Sequence, residues 1–402
     1  MKAGHKNIFD YYDISEILTE GIFSTMAKPV GPSCNLNCSY CYYLKHGTKM
    51  HHNGFRIMAE DMLEEYIRQY ISSQNSDSIS FCWHGGEPTI AGVDYFTKAL
   101  EFQKKYADGK EINNSFQTNG TLIDRQWCRF FVDNKILVGL SIDGPADIHD
   151  GNRKWHGSRS SFEAALMASR LFHDTGVEFN TLTTVNNLSE GRGEEVYTFL
   201  RDVIKSRFIQ FLPVADPSEA GSGASQYSIS PEGYGKFLTD IFDIWVRNDI
   251  GNVFIQIFES TLAQWCGYPA GVCTLGEYCS NALTVEHNGD VYPCDHYVSE
   301  DFNLGNITKR DLSQIFKSQK RIDFTLAKKT ELPDSCLSCR YQFACHGECP
   351  KHRFAANSES YLCKGLKHYF EHVEPYMLYM KQLLDSNLPA SLIKTKLTHQ
   401  TV

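Results

Sequence analysis

The sequence predicts an α/β fold with a mostly parallel sheet, followed by a smaller cysteine-rich region. Short apolar runs alternate with helical-period stretches from Ser24 to Val214, giving about six β/α units. Polar, Gly-rich tips follow successive strands. Of 14 cysteines, three fall between Cys34 and Cys41 and nine between Cys266 and Cys363, leaving only Cys82 and Cys128 in the long middle. A chain of 402 residues is long for one domain, so one large domain and a smaller one are expected.

The elements follow in order. "STMAKPV" from Ser24 reads as the first strand. "MAEDMLEEYIRQYISSQ" carries Met58, Met62, Leu63, Tyr66, Ile67, Tyr70 and Ile71 on one helical face. "SISFCWH" is a buried-strand run, and "YFTKALEFQKKYA" is helical again. "SFQTN" is a strand, "DRQWCRFFVDN" a helix with Asp124 near its start, and "LVGLSID" another strand. "SFEAALMASRLFHDTG" is a helix stopped by Gly176. "VEFNTLTTV", "EEVYTFLRDVI" and "FIQFLPV" complete the series, and the helix "YGKFLTDIFDIWVRND" follows a small polar loop. An open doubly wound sheet and a partial (β/α) barrel both fit, and in either the ligands gather at the C-terminal ends of the strands. Further on, "VEHNGDVYPC" reads as a hairpin with Asn288–Gly289 in a type I′ turn.

The net charge of −9 argues against a general nucleic-acid or anionic-membrane binder. The N-terminal stretch lacks the apolar core of a signal peptide, and no run of about 18 apolar residues appears. A cytoplasmic protein is expected, without nucleic-acid or membrane partners. Clustered thiols in a reducing compartment point to metal or redox chemistry rather than disulfides.

The loop "GPSCNLNCSYCYYLK" follows the first strand, so Cys34, Cys38 and Cys41 sit at the ligand-gathering end. Three thiolates are one short of a closed site. A histidine such as His46 completing a zinc site is one reading. An iron–sulfur cluster with one iron open to a small molecule is the other. Three more tips share that end. "WHGGEP" offers His84, two glycines for close backbone approach and Glu87 for a cationic group; "QTNGTL" offers Asn119; "LSIDGP" offers Ser141 and Asp143 for a ribose or carboxylate, with Arg153 close behind.

With the Cys34-x3-Cys38-x-Tyr40-Cys41 spacing followed by Gly-Gly-Glu-Pro, the chain resembles the radical S-adenosylmethionine enzymes. The resemblance implies a partial (β/α)6 TIM-like barrel. In that family three cysteines hold a [4Fe–4S] cluster, an aromatic (here Tyr40) precedes the third, and S-adenosyl-L-methionine chelates the fourth iron. By the same resemblance Gly85, Gly86 and Glu87 lie near the methionine amino group, with Asn119 also at the cosubstrate site. Ser141 and Arg153 hold its ribose or carboxylate, and Leu212 lies by the adenine. Where some relatives carry glutamine before Gly-Gly-Glu-Pro, this chain has His84, placed against cosubstrate, substrate or the barrel itself.

The second cysteine field, "CTLGEYC", "YPC", "CLSCRYQFACHGEC" and Cys363, reads by itself as one zinc or iron–sulfur module. Its order resembles the SPASM domain of peptide-modifying radical enzymes, which implies two interleaved [4Fe–4S] clusters. One takes Cys273, Cys279, Cys294 and Cys349, and the other Cys336, Cys339, Cys345 and Cys363. Cys82, Cys128 and Cys266 remain as buried or incidental thiols. The implied division is an N-terminal extension 1–23, a barrel 24–250, a SPASM domain 251–370 and a C-terminal helix and tail 371–402.

Within that group "KPVGPSCNLNCSYCYYL", "GGEPTIAG", "QTNGTLI", "SIDGPADIHDGNR", "IQFLPV", "CTLGEYC" and "EHNGDVYPCDHYV" resemble the anaerobic sulfatase-maturating enzymes, over roughly Met26 to Phe370. The resemblance implies oxidation of Cys or Ser in a sulfatase Cys/Ser-x-Pro/Ala-x-Arg motif to Cα-formylglycine. A 5′-deoxyadenosyl radical takes the Cβ hydrogen, Asp295 takes the heteroatom proton, and an auxiliary cluster takes the remaining electron. His296 and Tyr297 line the substrate channel or pack. The implied partners are an unfolded or nascent sulfatase polypeptide and an electron donor such as flavodoxin or ferredoxin. Another SPASM enzyme that crosslinks peptides through thioether or carbon bonds is the alternative. Such enzymes often carry a leader-binding domain, and about 20 residues before the first strand offer little room for one. A non-catalytic zinc or iron–sulfur module is a third reading.

Overall fold

The computed structural model describes residues 22–44, 57–218, 223–355 and 357–398. His46 and most of the N-terminal extension lie outside them. The strands are β1 (Ser24–Lys28), β2 (Ser78–Trp83), β3 (Glu111–Thr118), β4 (Leu137–Ser141), β5 (Phe179–Val185), β6 (Phe208–Pro213), β7 (Phe254–Ile255), β8 (Ala282–Glu286), β9 (Asp290–Tyr292) and β10 (Gly305–Asn306). The chain forms two compact units interleaved in sequence, and the division falls inside β3, between Ser115 and Phe116.

Of the described residues the first unit holds 22–33, 57–115 and 281–325. β1 pairs in parallel with β2 on one side and β8 on the other, so Lys28 lies beside Glu286 and Ala27 beside Trp83. Strand alternation sends Phe81 and Trp83 one way and Cys82 and His84 the other. The first pair meets helix α1 (Glu60–Ser72) through edge-on contacts with Tyr66 and Tyr70. Tyr66 also hydrogen-bonds Thr25 of β1 at 2.6 Å. Helix α2 (Val93–Tyr106) adds Phe96 against Trp83.

The β8–β9 hairpin is present, but its turn differs from the type I′ expectation. Among the described residues, only Gly289 of the Asn288–Gly289 pair has positive φ, at +83°. The Gly289 N–H bonds the Glu286 carbonyl at 2.9 Å, and Val285 pairs with Val291. The loop is therefore three residues, His287 to Gly289, ending in a left-handed glycine. Its extra residue matches strands joined by a bulge rather than a two-residue turn.

Of the described residues the second unit holds 34–44, 116–218, 223–280, 326–355 and 357–398. β4, β5, β6 and β7 are parallel, with Ser141 beside Leu182 and Thr184 beside Leu212. The helices are α3 (Arg125–Asp133), α4 (Ala146–Asn152), α5 (Phe162–Thr175), α6 (Gly193–Thr198), α7 (Pro231–Ile244), α8 (Gln256–Trp265) and α9 (Cys363–Asp385). Asp124 caps α3 by accepting from the Gln126 and Trp127 amides at 2.9 Å, and Gly176 ends α5 at φ +78°. α4 was not expected, because "DGPADIHDGN" carries two Asp-Gly pairs that read as turns. One core joins this unit, from Ile142 of β4 through Phe237, Phe242 and Phe258 to Tyr369 and Met377 of α9. Helices α7 and α9 meet through Gly235 and Gly365, whose missing side chains let the two backbones touch.

Candidate active site and thiol groups

In the first unit, the "WHGGEP" tip folds back onto the chain itself. The Gly86 N–H bonds the Gly31 carbonyl at 2.8 Å, and the Glu87 N–H bonds the Ser33 carbonyl at 2.9 Å. A Cβ on Gly86 would lie 2.1 Å from the Ser33 oxygen, and Gly85 takes φ +137°. A side chain at position 86 is excluded by residues 32–33, the lead into the cysteine loop, so the glycine is needed for the chain's own packing. Glu87 is fully buried, and one carboxylate oxygen accepts from the Thr89 amide at 3.1 Å and hydroxyl at 2.6 Å. It caps the turn that follows.

The Gly85 N–H donates to His84 Nδ1 at 2.7 Å, so His84 closes on its own tip. Burial, with the positive charge of Lys28 adding, holds its imidazole down at about 4, while Asp295 pulls the other way. His84 is neutral at pH 7. Cys82 feels the same Asp295 and Lys28 charges, and burial raises its thiol. Lys28, Cys82, His84 and Asp295 thus share one electrostatic neighbourhood. Asp295 opens a short turn just after β9, and the Cys294 thiol reaches its Oδ1 at 3.6 Å. Lys28 is fully buried. In the sequence it is a lysine ending a strand that also carries Ser24 and Thr25, which gives little sign of its burial.

In the second unit, the cysteine loop leans on the strand tips. Asn119 donates to Asn35 at 2.9 Å and toward the Cys34 sulfur at 3.8 Å, and the Leu36 amide points at that sulfur at 3.4 Å. Tyr40 donates its hydroxyl to Asp143, whose other oxygen accepts from Arg153 Nε at 3.0 Å and the Thr184 amide at 3.1 Å. Arg153 also bonds the Thr184 hydroxyl at 3.2 Å. Asp143 is fully buried, and only 11% of the Arg153 side chain is exposed. The structure therefore brings together Tyr40, Arg153 and, through its pairing with Thr184, Leu212, with Asp143 as their hub. Ser141 ends β4 two residues from that hub, and Leu212 is 42% exposed, a bare apolar surface beside it. Burial pushes the Cys38 thiol up to about 12, against the opposing charge of Arg153, with Cys41 adding to the rise. Thiols held this way deprotonate when a metal supplies the compensating charge.

The remaining thiols of this unit sort into two groups. Burial raises Cys345 to about 12, with Glu348, Cys363 and Cys336 adding; Cys363 in turn senses Cys336 and Cys339. Cys349, only four residues from Cys345, instead senses Cys273 and Cys279, and burial pushes it up as well. Burial lifts Cys279 to about 11, opposed by Lys328. Lys328 donates to the carbonyls of Cys273 and Thr274, the latter at 3.0 Å. All these thiols are free of disulfides. Among the described residues, no three His, Cys, Asp or Glu side chains are placed to hold a single metal ion. Grouped free thiols are the donor set that an iron–sulfur cluster takes. Cys128 is buried in the core of α3, and Cys266 follows α8.

Comparison with known proteins agrees with this arrangement. The radical SAM superfamily model matches residues 29–200, and an iron–sulfur cluster-binding domain model, SPASM, matches 273–340. A serine-type anaerobic sulfatase-maturating enzyme of Bacteroides thetaiotaomicron is 42% identical over 92% of this chain and 94% of its own. A cysteine-type enzyme of Clostridium perfringens is 34% identical over 88% of this chain and 97% of its own. A solved structure of native anSMEcpe with bound AdoMet superposes with a TM-score of 0.83 at 34% identity, over 89% of this chain and 99% of that one.

Proposed function

The chain belongs to the anaerobic sulfatase-maturating enzymes, and on that premise we propose that it oxidises a cysteine or serine in a sulfatase Cys/Ser-x-Pro/Ala-x-Arg segment to Cα-formylglycine. The observation that carries the reading is the sorting of thiols, with Cys34, Cys38 and Cys41 in a tip-side loop and Cys345 and Cys349 facing different partners. Cys34, Cys38 and Cys41 hold the first [4Fe–4S] cluster, at which S-adenosylmethionine binds. Cys273, Cys279, Cys294 and Cys349 hold the second, and Cys336, Cys339, Cys345 and Cys363 the third. When bound, cluster and cosubstrate supply the one-electron chemistry that removes a hydrogen atom from the substrate Cβ.

The chain's own residues do the rest. Asp143 fixes Tyr40 and Arg153, so the aromatic ring and the guanidinium face the cosubstrate in one geometry; the cation also lies 5.7 Å over the Tyr40 ring. Asn119 and Ser141 contribute polar contacts at the same tips, and the exposed Leu212 gives the adenine an apolar surface. Gly85, Gly86 and Glu87 shape the turn that receives the amino group. Asp295 takes the proton from the substrate thiol or hydroxyl, while neutral His84 has its acceptor nitrogen taken by the Gly85 amide. The substrate is an unfolded or nascent sulfatase chain in the cytoplasm, and a flavodoxin or ferredoxin type of protein supplies the electrons. Among the described residues no helix is long and apolar enough to cross a membrane.

The test is anaerobic incubation of the reconstituted protein with S-adenosylmethionine, a reductant and peptides carrying Cys-x-Pro-x-Arg or Ser-x-Pro-x-Arg. Mass spectrometry is expected to find the aldehyde, and Asp295→Asn to reduce it by about 10²-fold or more. 5′-Deoxyadenosine without aldehyde on either peptide would move the reading to another peptide modification.

A further inference from the structure

We infer that Arg353 is a positioning residue shared by both auxiliary clusters: it pins the turn that delivers Cys345 to one thiol group and Cys349 to the other, and sets one permanent positive charge against both. The turn is His346–Gly347–Glu348, and its three residues have φ of +49°, +72° and +56°. Successive left-handed residues are costly for side chains with a Cβ, and persist only where the surroundings impose them. Here the surroundings are one guanidinium. Arg353 Nε donates to the Gly347 carbonyl at 2.9 Å, and Nη2 to those of Glu348 at 3.1 Å and His346 at 3.3 Å. Nη1 donates to the carbonyl of Lys328 at 2.9 Å. A planar fork makes these bonds together, and an ammonium cannot.

The other contacts of the turn lead toward the two thiol groups. His346 Nδ1 meets the carbonyl of Leu275, between Cys273 and Cys279, at 3.0 Å. The Glu348 carboxylate accepts from His352 at 2.9 Å and from Ser360 at 2.8 Å, three residues before Cys363. Gly347 has no room for a side chain: a Cβ would lie 2.2 Å from Leu332 and 2.8 Å from Arg353 itself. The guanidinium charge is felt by Cys279 of one group and Cys336 of the other. An all-cysteine cluster gains negative charge on reduction, so a fixed cation beside it favours the reduced form, and net charge is one of the levers on cluster potential.

This inference rests on the assignment of these thiols to two clusters, and the experiment separates the two. The full chain, reconstituted anaerobically, is assayed for iron and titrated with dithionite and mediator dyes under electron paramagnetic resonance, beside Arg353→Gln and Arg353→Lys. The original chain is expected to hold about 12 irons. In Arg353→Gln both auxiliary potentials are expected to fall by about tenfold in the one-electron equilibrium, or about 59 mV, with the Cys34-loop cluster unmoved. Arg353→Lys keeps the charge and is expected to recover most of that shift. Joint loss of iron from both auxiliary sites in Arg353→Gln and Arg353→Lys alike, neither of which carries the fork, would equally support the shared role. A full iron complement with only one potential moved, or neither, or iron lost from one site alone, would overturn it. An original chain holding only four irons would overturn the cluster assignment and this inference with it.

Discussion

His149 shows how a single buried side chain ties the cosubstrate hub to pH. It is 1% exposed, and the Asp143 N–H donates to its Nδ1 at 3.3 Å. The ring proton is therefore on Nε2, directed at the Ser161 hydroxyl 3.0 Å away. Burial lowers its pKa from 6.5 to about 4. Between those values the unfolded chain binds the proton and the folded chain does not, so the contribution is complete above pH 6.5 and lost as pH falls toward 4. Between pH 7 and pH 5 the loss amounts to about 2 kcal/mol. His149→Gln, whose amide can still accept from Asp143, is expected to flatten that part of the profile in denaturant midpoints. An unchanged slope would show that other groups set it. The sequence named Asp143 and Arg153 but not His149, since a histidine in "DIHDGN" looks like any turn residue until its burial is known. Arg353 was less legible still. Its four partners are main-chain carbonyls, and a carbonyl leaves no mark in the identity of the residue that bears it.

Element boundaries were readable wherever capping chemistry is local. Asp124 and Gly176 were found in advance because each acts on backbone groups within a few residues of itself. The hairpin turn was misjudged because Asn-Gly suits a two-residue loop and a bulged three-residue loop alike. The crossing of α7 and α9 was not readable, because only the structure says which two glycines meet. A Cβ on Gly365 would lie 2.0 Å from the Pro231 carbonyl oxygen, and one on Gly235 2.7 Å from that of Gly365. Neither backbone can yield without moving its helix, so Gly365→Ala is expected to cost about 1–3 kcal/mol by overpacking. Cys363 begins α9, two residues earlier, so the same change is expected to lower iron retention at the Cys336 group. Lys364→Ala provides the control, since that side chain is 80% exposed in its pair with Glu232. Equal midpoints and equal iron in the two variants would show that the crossing tolerates a methyl group.

Across the chain, the motifs that carry chemistry were legible because cysteine spacing is a sequence property. The division of Cys345 from Cys349 between two clusters came only with resemblance; in the fold the two thiols have different neighbouring cysteines. The same spacing has a consequence for stability. Residues 331–361 of the second unit contain two four-residue helices, Asp334–Leu337 and Gln342–Cys345, and among the described residues contribute only Tyr341 and Ala344 to the shared buried core, with Cys339, Cys345 and Tyr361 partly buried against it. So little apolar burial cannot offset the conformational entropy of some thirty residues. Lys328 and Glu348, both nearly fully buried, add charged groups that lean on neighbouring carbonyls, hydroxyls and histidine rather than on apolar packing. Iron ligation is therefore expected to supply folding free energy here, as structural metals do in small metal-dependent domains. The stretch from β4 to α8 in the same unit supplies the larger part of that core, from Ile142 to Trp265. Chelation of iron is accordingly expected to speed proteolytic cleavage within 331–361 by about tenfold or more, while β4 to α8 stays protected. Mass mapping of limited-digestion fragments, with and without iron, decides it. Equal cleavage of 331–361 in both forms would mean that this segment folds on packing and main-chain hydrogen bonds alone.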